Sequence, residues 1–329
     1  MIPASASAIE GTGMEIFVAG DMVYDHSYVS GGDGDNNLTM RGTEVAMYGP
    51  IDHVFDGLVG LAAHYEKGET MVELHELFVS SSKLLPSSNI RLGQFFLNIG
   101  KLNRVHQHDW VFTEAPKVHE TFFDKPDNKF AEGALDTGIE YTYVLPTIST
   151  WDVTIGLTSG YKYGHAHEEG NRPEVPTHYA RVSNFIAFGA ASGMQFGYNF
   201  LSRTDNQGSK MSLLGLDMTT KLRQGKKLNL LLQSEAWSRL IEPEGVAATR
   251  QAGAYLYVGT DLTHLLNGGV RIDAYTDLTR KDALTLKNVS NMHYEGLIQL
   301  TYSSSEFIKN RVSFSREIGL VDESVKSQD

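Results

Sequence analysis

Apolar residues recur at every second position through most of this chain, yet no run of about 18 of them occurs anywhere. Residues 14–24 set the pattern. Met14, Ile16, Val18, Gly20, Met22 and Tyr24 share one face; Glu15, Phe17, Ala19, Asp21 and Val23 share the other. Period two over such a length is the mark of a strand with two unlike faces. It recurs at 136–145, where Ile139, Tyr141, Tyr143 and Leu145 alternate with Asp136, Gly138, Glu140 and Thr142, and at 151–158. About 15 such segments lie between residues 14 and 318, the odd count falling inside a range of about 14–16 strands. The expected fold is all-β: a transmembrane antiparallel up-and-down β-barrel forming one domain over residues 1–329.

The connections support that expectation. Segments at 49–50, 146–149 and 224–227 are short turns, whereas 25–37, 161–177 and 279–290 are long and polar. Long and short connections alternate, with 66–69 as the exception. Outer-membrane barrels collect long loops at one end and tight turns at the other; a soluble sandwich has no such reason for the asymmetry. By the same parity residues 319–329 fall on the long-loop side, so the sequence is expected to lack its last strand. The first residues, MIPASASAIEGTG, have no basic start and no apolar core, so an export leader is expected to be missing as well.

A net charge of -12 argues against nucleic acid as a partner. The chain has no cysteine, which removes disulfides and thiolate metal sites. It has no Gly-x-Ser-x-Gly, no phosphate-cradling glycine loop and no His-Glu-x-x-His, so no catalytic residue is assigned and no enzyme is expected.

The longest connection, residues 99–135, shows neither a period of 2 nor one of 3.6. It gathers Arg104, His106, His108, Asp109, His119 and the aromatics Trp110, Phe112, Phe122, Phe123 and Phe130. A connection this long in a compact β protein is usually functional, and it is expected to fold into or over a pore. Arg91, Arg104, Asp109, Asp136, Glu140 and Glu76 are the expected pore-lining or constriction residues, because opposed charges across a narrow lumen set ion preference. Charges on later strands, such as Glu235, Arg239, Arg271 and Asp273, are also expected to point inward, since Arg or Lys facing lipid at mid-depth costs about 2–4 kcal/mol. Leu228, Leu230 and Leu232 are expected on the face opposite Glu235. His106 and His108, with Asp109, and His165 and His167, with Glu168 and Glu169, have imidazole and carboxylate spacing that suits Zn²⁺. No other cofactor is expected.

The run RLGQFFLNIGKLNRVHQHDWVFTEAP followed by DTGIEYTYVLP carries a resemblance. Arg91, Gly93 and Phe95, then Gly100, Lys101, Asn103, Arg104, His106, His108 and Asp109, then Asp136, Gly138, Glu140 and Leu145-Pro146 resemble a pattern of bacterial outer-membrane porin-like proteins related to the phosphate-selective porins. The match covers roughly residues 51–157, with barrel patterning beyond it. The resemblance implies a porin fold in the bacterial outer membrane and passive diffusion of small polar or charged solutes, with lipid as the surroundings. Porins of similar strand number are often trimers, so a homo-trimer is the expected assembly. The competing expectation is a zinc-binding or substrate-capturing barrel that assists uptake.

Overall fold

The computed structural model describes residues 7–9, 13–26, 36–66, 69–123, 133–160, 175–205, 208–243, 245, 247–281, 288–289, 291–305 and 307–321. These fall into two compact units, Met1–Phe95 and Phe96–Asp329.

The first unit is an antiparallel meander of β1 (Ser7–Ile9), β2 (Met14–His26), β3 (Asn36–Pro50), β4 (Asp56–Glu66), β5 (Glu69–Ser81) and β6 (Ser88–Phe96), each paired with the next. The expected face holds: Val18, Met22 and Tyr24 are exposed. Two local features interrupt the alternation. β3 runs from Asn36, and a bulge at Asp21/Met22 leaves Arg41 unpaired in its ladder. A bulge turns its extra residue out of the alternation; here Arg41 is buried and pairs with Asp21. Residues 51–54 form a turn. The Asp52 carboxylate accepts hydrogen bonds from the Val54 and Phe55 amides at 2.7 and 2.8 Å. Those bonds hold the Asp52 pKa below the usual carboxylate range.

The second unit is the longer meander: β7 (Leu135–Leu145), β8 (Thr150–Thr158), β9 (Thr177–Ala187), β10 (Gly193–Thr204), β11 (Lys210–Gln224), β12 (Lys227–Glu242), β13 (Thr249–Asp261), β14 (Leu266–Lys281), β15 (Asn288–Val289), β16 (Asn291–Ser303) and β17 (Lys309–Val321). Neighbours in sequence pair antiparallel, except that β14 pairs with both short β15 and long β16. Setting the short β1 and β15 aside leaves 15 long strands across the two units, in line with the segments marked by periodicity.

Burial in this unit runs opposite to that of a soluble protein. Along β14, Arg271 is 0% and Asp273 5% exposed, while Ile272 between them is 58% exposed. β9 buries Arg181 and Ser183; β12 buries Gln233, Glu235 and Trp237; β16 buries Gln299 and Thr301. The alternate positions, among them Leu214, Leu216, Ile298 and Leu300, are exposed, and on β17 Val312 and Phe314 are 75% and 71% exposed. Apolar exposure repeated strand after strand is far beyond the scattered greasy residues of an ordinary surface. A solvent that is itself apolar removes the penalty. Leu228 departs from the expected face and is buried. The register between β11 and β12 pairs Leu222 with Leu230 but Arg223 with Leu228, so one extra residue, Asn229, flips everything before it.

Candidate functional site

The described parts of the connection from β6 to β7, residues 97–123 and 133–134, lie along the buried face of the second unit, and the two ends are clasped by one side chain. Asn103 donates through Nδ2 to the carbonyls of Leu97 and Ala134, at 2.8 and 3.1 Å, and its Oδ1 accepts the Ala134 amide. Leu97 also donates to the Ala134 carbonyl at 3.0 Å. A single amide side chain with two donors and an acceptor is suited to that clasp.

Next the chain turns against the wall. Gly100 sits at φ +61° and donates to Asn199 Oδ1 at 2.9 Å; the Leu102 amide donates to Glu235 Oε1 at 2.8 Å. A Cβ at Gly100 would overlap the Glu235 carboxylate and the Trp237 ring, so both the conformation and the close approach call for glycine. Glu235 also accepts from Trp237 Nε1 and the Tyr255 hydroxyl, each at 3.0 Å.

Further along, the loop is tied down at intervals. Gln299 Nε2 donates to the Val111 carbonyl at 2.6 Å, and Thr113 shares a 2.7 Å bond with Ser313. Arg271 donates to the carbonyls of Glu114 and Ala115 while pairing with Asp273 at 2.9 Å and Glu295 at 3.2 Å. Arg239 donates to the Thr121 carbonyl at 2.8 Å. Between these ties the helix α1 (Lys117–Phe123) packs on β12, β13 and β14. At seven residues α1 is too short to be stable alone. It is held by burial: Phe123 meets Trp237 with ring centroids 4.8 Å apart, Phe122 meets Tyr275 at 6.0 Å, and Val118 lies where a Cβ on Gly253 would be. Phe112 sits edge-on to both Tyr255 and Tyr257 at 5.7 Å. Aromatic pairs of this kind add about 0.5–1.5 kcal/mol each beyond their buried area. The segment is therefore a fixed lining of the wall.

Charged groups cluster beside the first turn of the loop, the 3₁₀ turn Leu102–Arg104. Arg181 on β9 donates to both Asp217 oxygens, at 2.8 and 3.1 Å, and lies 3.9 Å from Asp152. Asn199 donates to Asp217 Oδ2 at 2.8 Å, and the Tyr179 hydroxyl to Glu140 at 2.6 Å. Lys101 and Arg104 are half-buried on the loop above them.

The expected site residues are distributed as follows. Arg104, Asp109, Asp136, Glu140, His106 and His108 belong to the second unit; Arg91 and Glu76 belong to the first. Arg91 lies over the Phe95 and Phe78 rings, 4.4 and 5.3 Å from their centroids, and Glu76 is buried. Asp136 is fully buried, and its carboxylate accepts from Thr137, Ser159 and Gly160, which ties the start of β7 to the end of β8. The His106 and His108 rings stack at 5.7 Å, with His108 Nε2 3.7 Å from Asp109. Among the described residues no group of three or more side chains is placed to hold a metal. His165 and His167 lie outside the described residues. Lys101 and Asn103 entered the sequence reading only as positions of the family pattern, and the anchors Asn199 and Gln299, with the charges Arg181 and Asp217, were not singled out by sequence. Glu235 and Arg271 were read as inward charges, without their partners in the loop.

No family model matches the chain. A stretch of 104 residues is 28% identical to an uncharacterized protein of Aquifex aeolicus (strain VF5); it covers 31% of this chain and 20% of that protein. Among solved structures, the outer-membrane channel DcaP of Acinetobacter baumannii has a TM-score of 0.60 at 9% identity, with 96% of this chain and 100% of that chain covered. OmpT of Vibrio cholerae in its trimer form has a TM-score of 0.58 at 8% identity over 94% and 90% of the two chains. An anion-selective porin from Comamonas acidovorans has a TM-score of 0.54 at 8% identity over 93% and 98%. At these identities the likeness speaks to architecture, and together with the inverted burial it establishes the fold: the transmembrane antiparallel up-and-down β-barrel of bacterial outer-membrane proteins.

Proposed function

We propose that the chain is a passive porin-like channel of the bacterial outer membrane, with residues 97–123 narrowing the path of small polar or charged solutes. The observation that carries this reading is the buried polar face of the second unit with a loop bonded along it. A wall of Gln, Glu, Arg and Ser side chains turned away from lipid gives a wet interior. A loop fixed on that wall reduces its cross-section. The likeness of fold to proteins described as channels and porins supports the same reading. A homo-trimer is the proposed assembly, by analogy with the trimer form of OmpT.

Protein refolded in detergent and added to a planar bilayer is expected to give steady, ohmic conductance steps. Insertion of a trimer predicts that each insertion closes in three equal sub-steps at high voltage. Protein that refolds but leaves the bilayer silent would remove the channel reading; single closing steps would remove the trimer alone.

A further inference from the structure

Among the described residues of β7–β17, one charge faces outward away from a strand end. β17 places Val312, Phe314, Arg316 and Ile318 on one face, and all four are exposed. The ladder sets Gly296 of β16 opposite Arg316, and Ile272 of β14 opposite Gly296. Opposed residues share a face, so Arg316 shares the face of exposed Ile272. The other described charges at outward positions, Lys210, Lys227, Glu242 and Arg250, stand at the first, second or last place of their strands. Among the described residues Arg316 makes no hydrogen bond and no ion pair. Glu317 points to the other face, 3.4 Å from His293 Nδ1.

A cation among side chains turned to hydrocarbon is costly. Arginine relieves that cost by stretching its stem toward the headgroups. From Arg316 to the end of β17, a strand tilted as barrel strands are climbs about 12 Å. Tyr294 of β16, opposite Ile318, lies one layer nearer that end and is exposed. A tyrosine on the outer face marks the level of the headgroups. Arg316 thus sits one layer below the interface on the long-loop side. A Cβ at Gly296 would meet nothing within 4 Å, so the wall is recessed beside it.

We propose that Arg316, with the recess at Gly296, holds the phosphate of a membrane lipid in the leaflet at the long-loop end. A guanidinium fork matches two oxygens of one phosphate. The recess leaves room for the lipid's backbone where a side chain would otherwise stand. The surrounding Phe314, Ile318, Tyr294 and Ile298 are exposed and suit acyl chains rather than a hydrated free anion. The site depends on the barrel fold and not on conduction.

Native mass spectrometry of the full chain in maltoside micelles, which carry no phosphate, tests this. Phosphatidylglycerol is titrated in, with dioleoylglycerol and inorganic phosphate as comparison probes. The native chain is expected to retain one phosphatidylglycerol well before any further copy, and neither comparison probe. Arg316→Leu should need about tenfold more lipid for that first adduct, the weight of one charge-assisted hydrogen bond. It adds an apolar side chain to an apolar face, so it should fold as readily as the native chain. Arg316→Lys should lie between the two, and Gly296→Leu should weaken the adduct with the arginine still in place. An unchanged first adduct in Arg316→Leu overturns the site. Dioleoylglycerol held as firmly would mean a purely apolar contact, and inorganic phosphate held as firmly a soluble-anion site; either overturns the proposal. So would an Arg316→Leu chain that keeps its lipid but loses an assembly mass, which would place the arginine between copies. A chain that retains the lipid yet never conducts upholds the site and removes the channel reading alone.

Discussion

Arg271→Ala is expected to destabilise the folded protein by about 3–5 kcal/mol, the cost of removing one partner from a buried ion pair. Arg271 is fully buried, and its guanidinium serves four groups at once: the Glu114 and Ala115 carbonyls of the loop and the carboxylates of Asp273 and Glu295. It also lies over the Phe112 ring, 4.7 Å from the centroid. Alanine would leave two carboxylates without their cation and two loop carbonyls without a donor. Urea unfolding in lipid vesicles reads the stability, and the same preparation should conduct more than the native channel because the middle of the loop is freed. Arg271→Lys should recover only part of the loss, because an ammonium is a point charge and cannot reproduce the fork. An alanine variant within about 1 kcal/mol of native, the size of an exposed pair, would mean that the cluster is not a structural joint.

Glu235→Ala acts at the other end of the loop. The Glu235 carboxylate accepts from the Leu102 amide, Trp237 Nε1 and the Tyr255 hydroxyl. Each buried donor left without an acceptor costs about 1–3 kcal/mol, with the lower figure applying where water enters. The turn at Gly100–Leu102 would then keep only the bond from Gly100 to Asn199. Single-channel recordings should show a larger and noisier conductance than the native protein. Glu235→Gln retains an acceptor oxygen and should lie between the two. A conductance unchanged in both variants would show that the loop's first turn does not narrow the path.

What could be read from residues alone, and what could not, follows from the range of each interaction. The two-faced strands were legible because side chains alternate strictly along an extended backbone, so Met14 to Tyr24 declares its own geometry. That the charges Glu235 and Arg271 turn away from lipid was legible for an energetic reason, the cost of a charge in hydrocarbon. Bulges were not legible. Arg41 and Leu228 change face through one unpaired residue, which depends on the partner strand and leaves no mark in the local sequence. Ile51, His53 and Phe55 alternate as a strand would, yet Asp52 closes a turn there through its own side chain. The helix α1 escaped notice because two turns are shorter than the window a 3.6-residue period needs. The loop's anchoring was the least legible feature. Bonds from Gln299 to Val111 and from Arg239 to Thr121 end on backbone carbonyls far away in sequence, and any residue type at the receiving position would serve.

The chain contains no cysteine, so single cysteines can carry a spin label without a background. Labels at Leu216, Ile272 and Phe314, on exposed faces of β11, β14 and β17, are compared in vesicles with labels at Thr219 and Ser315 on the opposite faces. If greasy side chains look out into hydrocarbon and polar ones line water, the first three relax with dissolved oxygen and ignore a water-soluble nickel chelate, while the last two respond to the chelate. Chelate reaching Ile272 and Phe314 as freely as Thr219 and Ser315 would contradict the whole account.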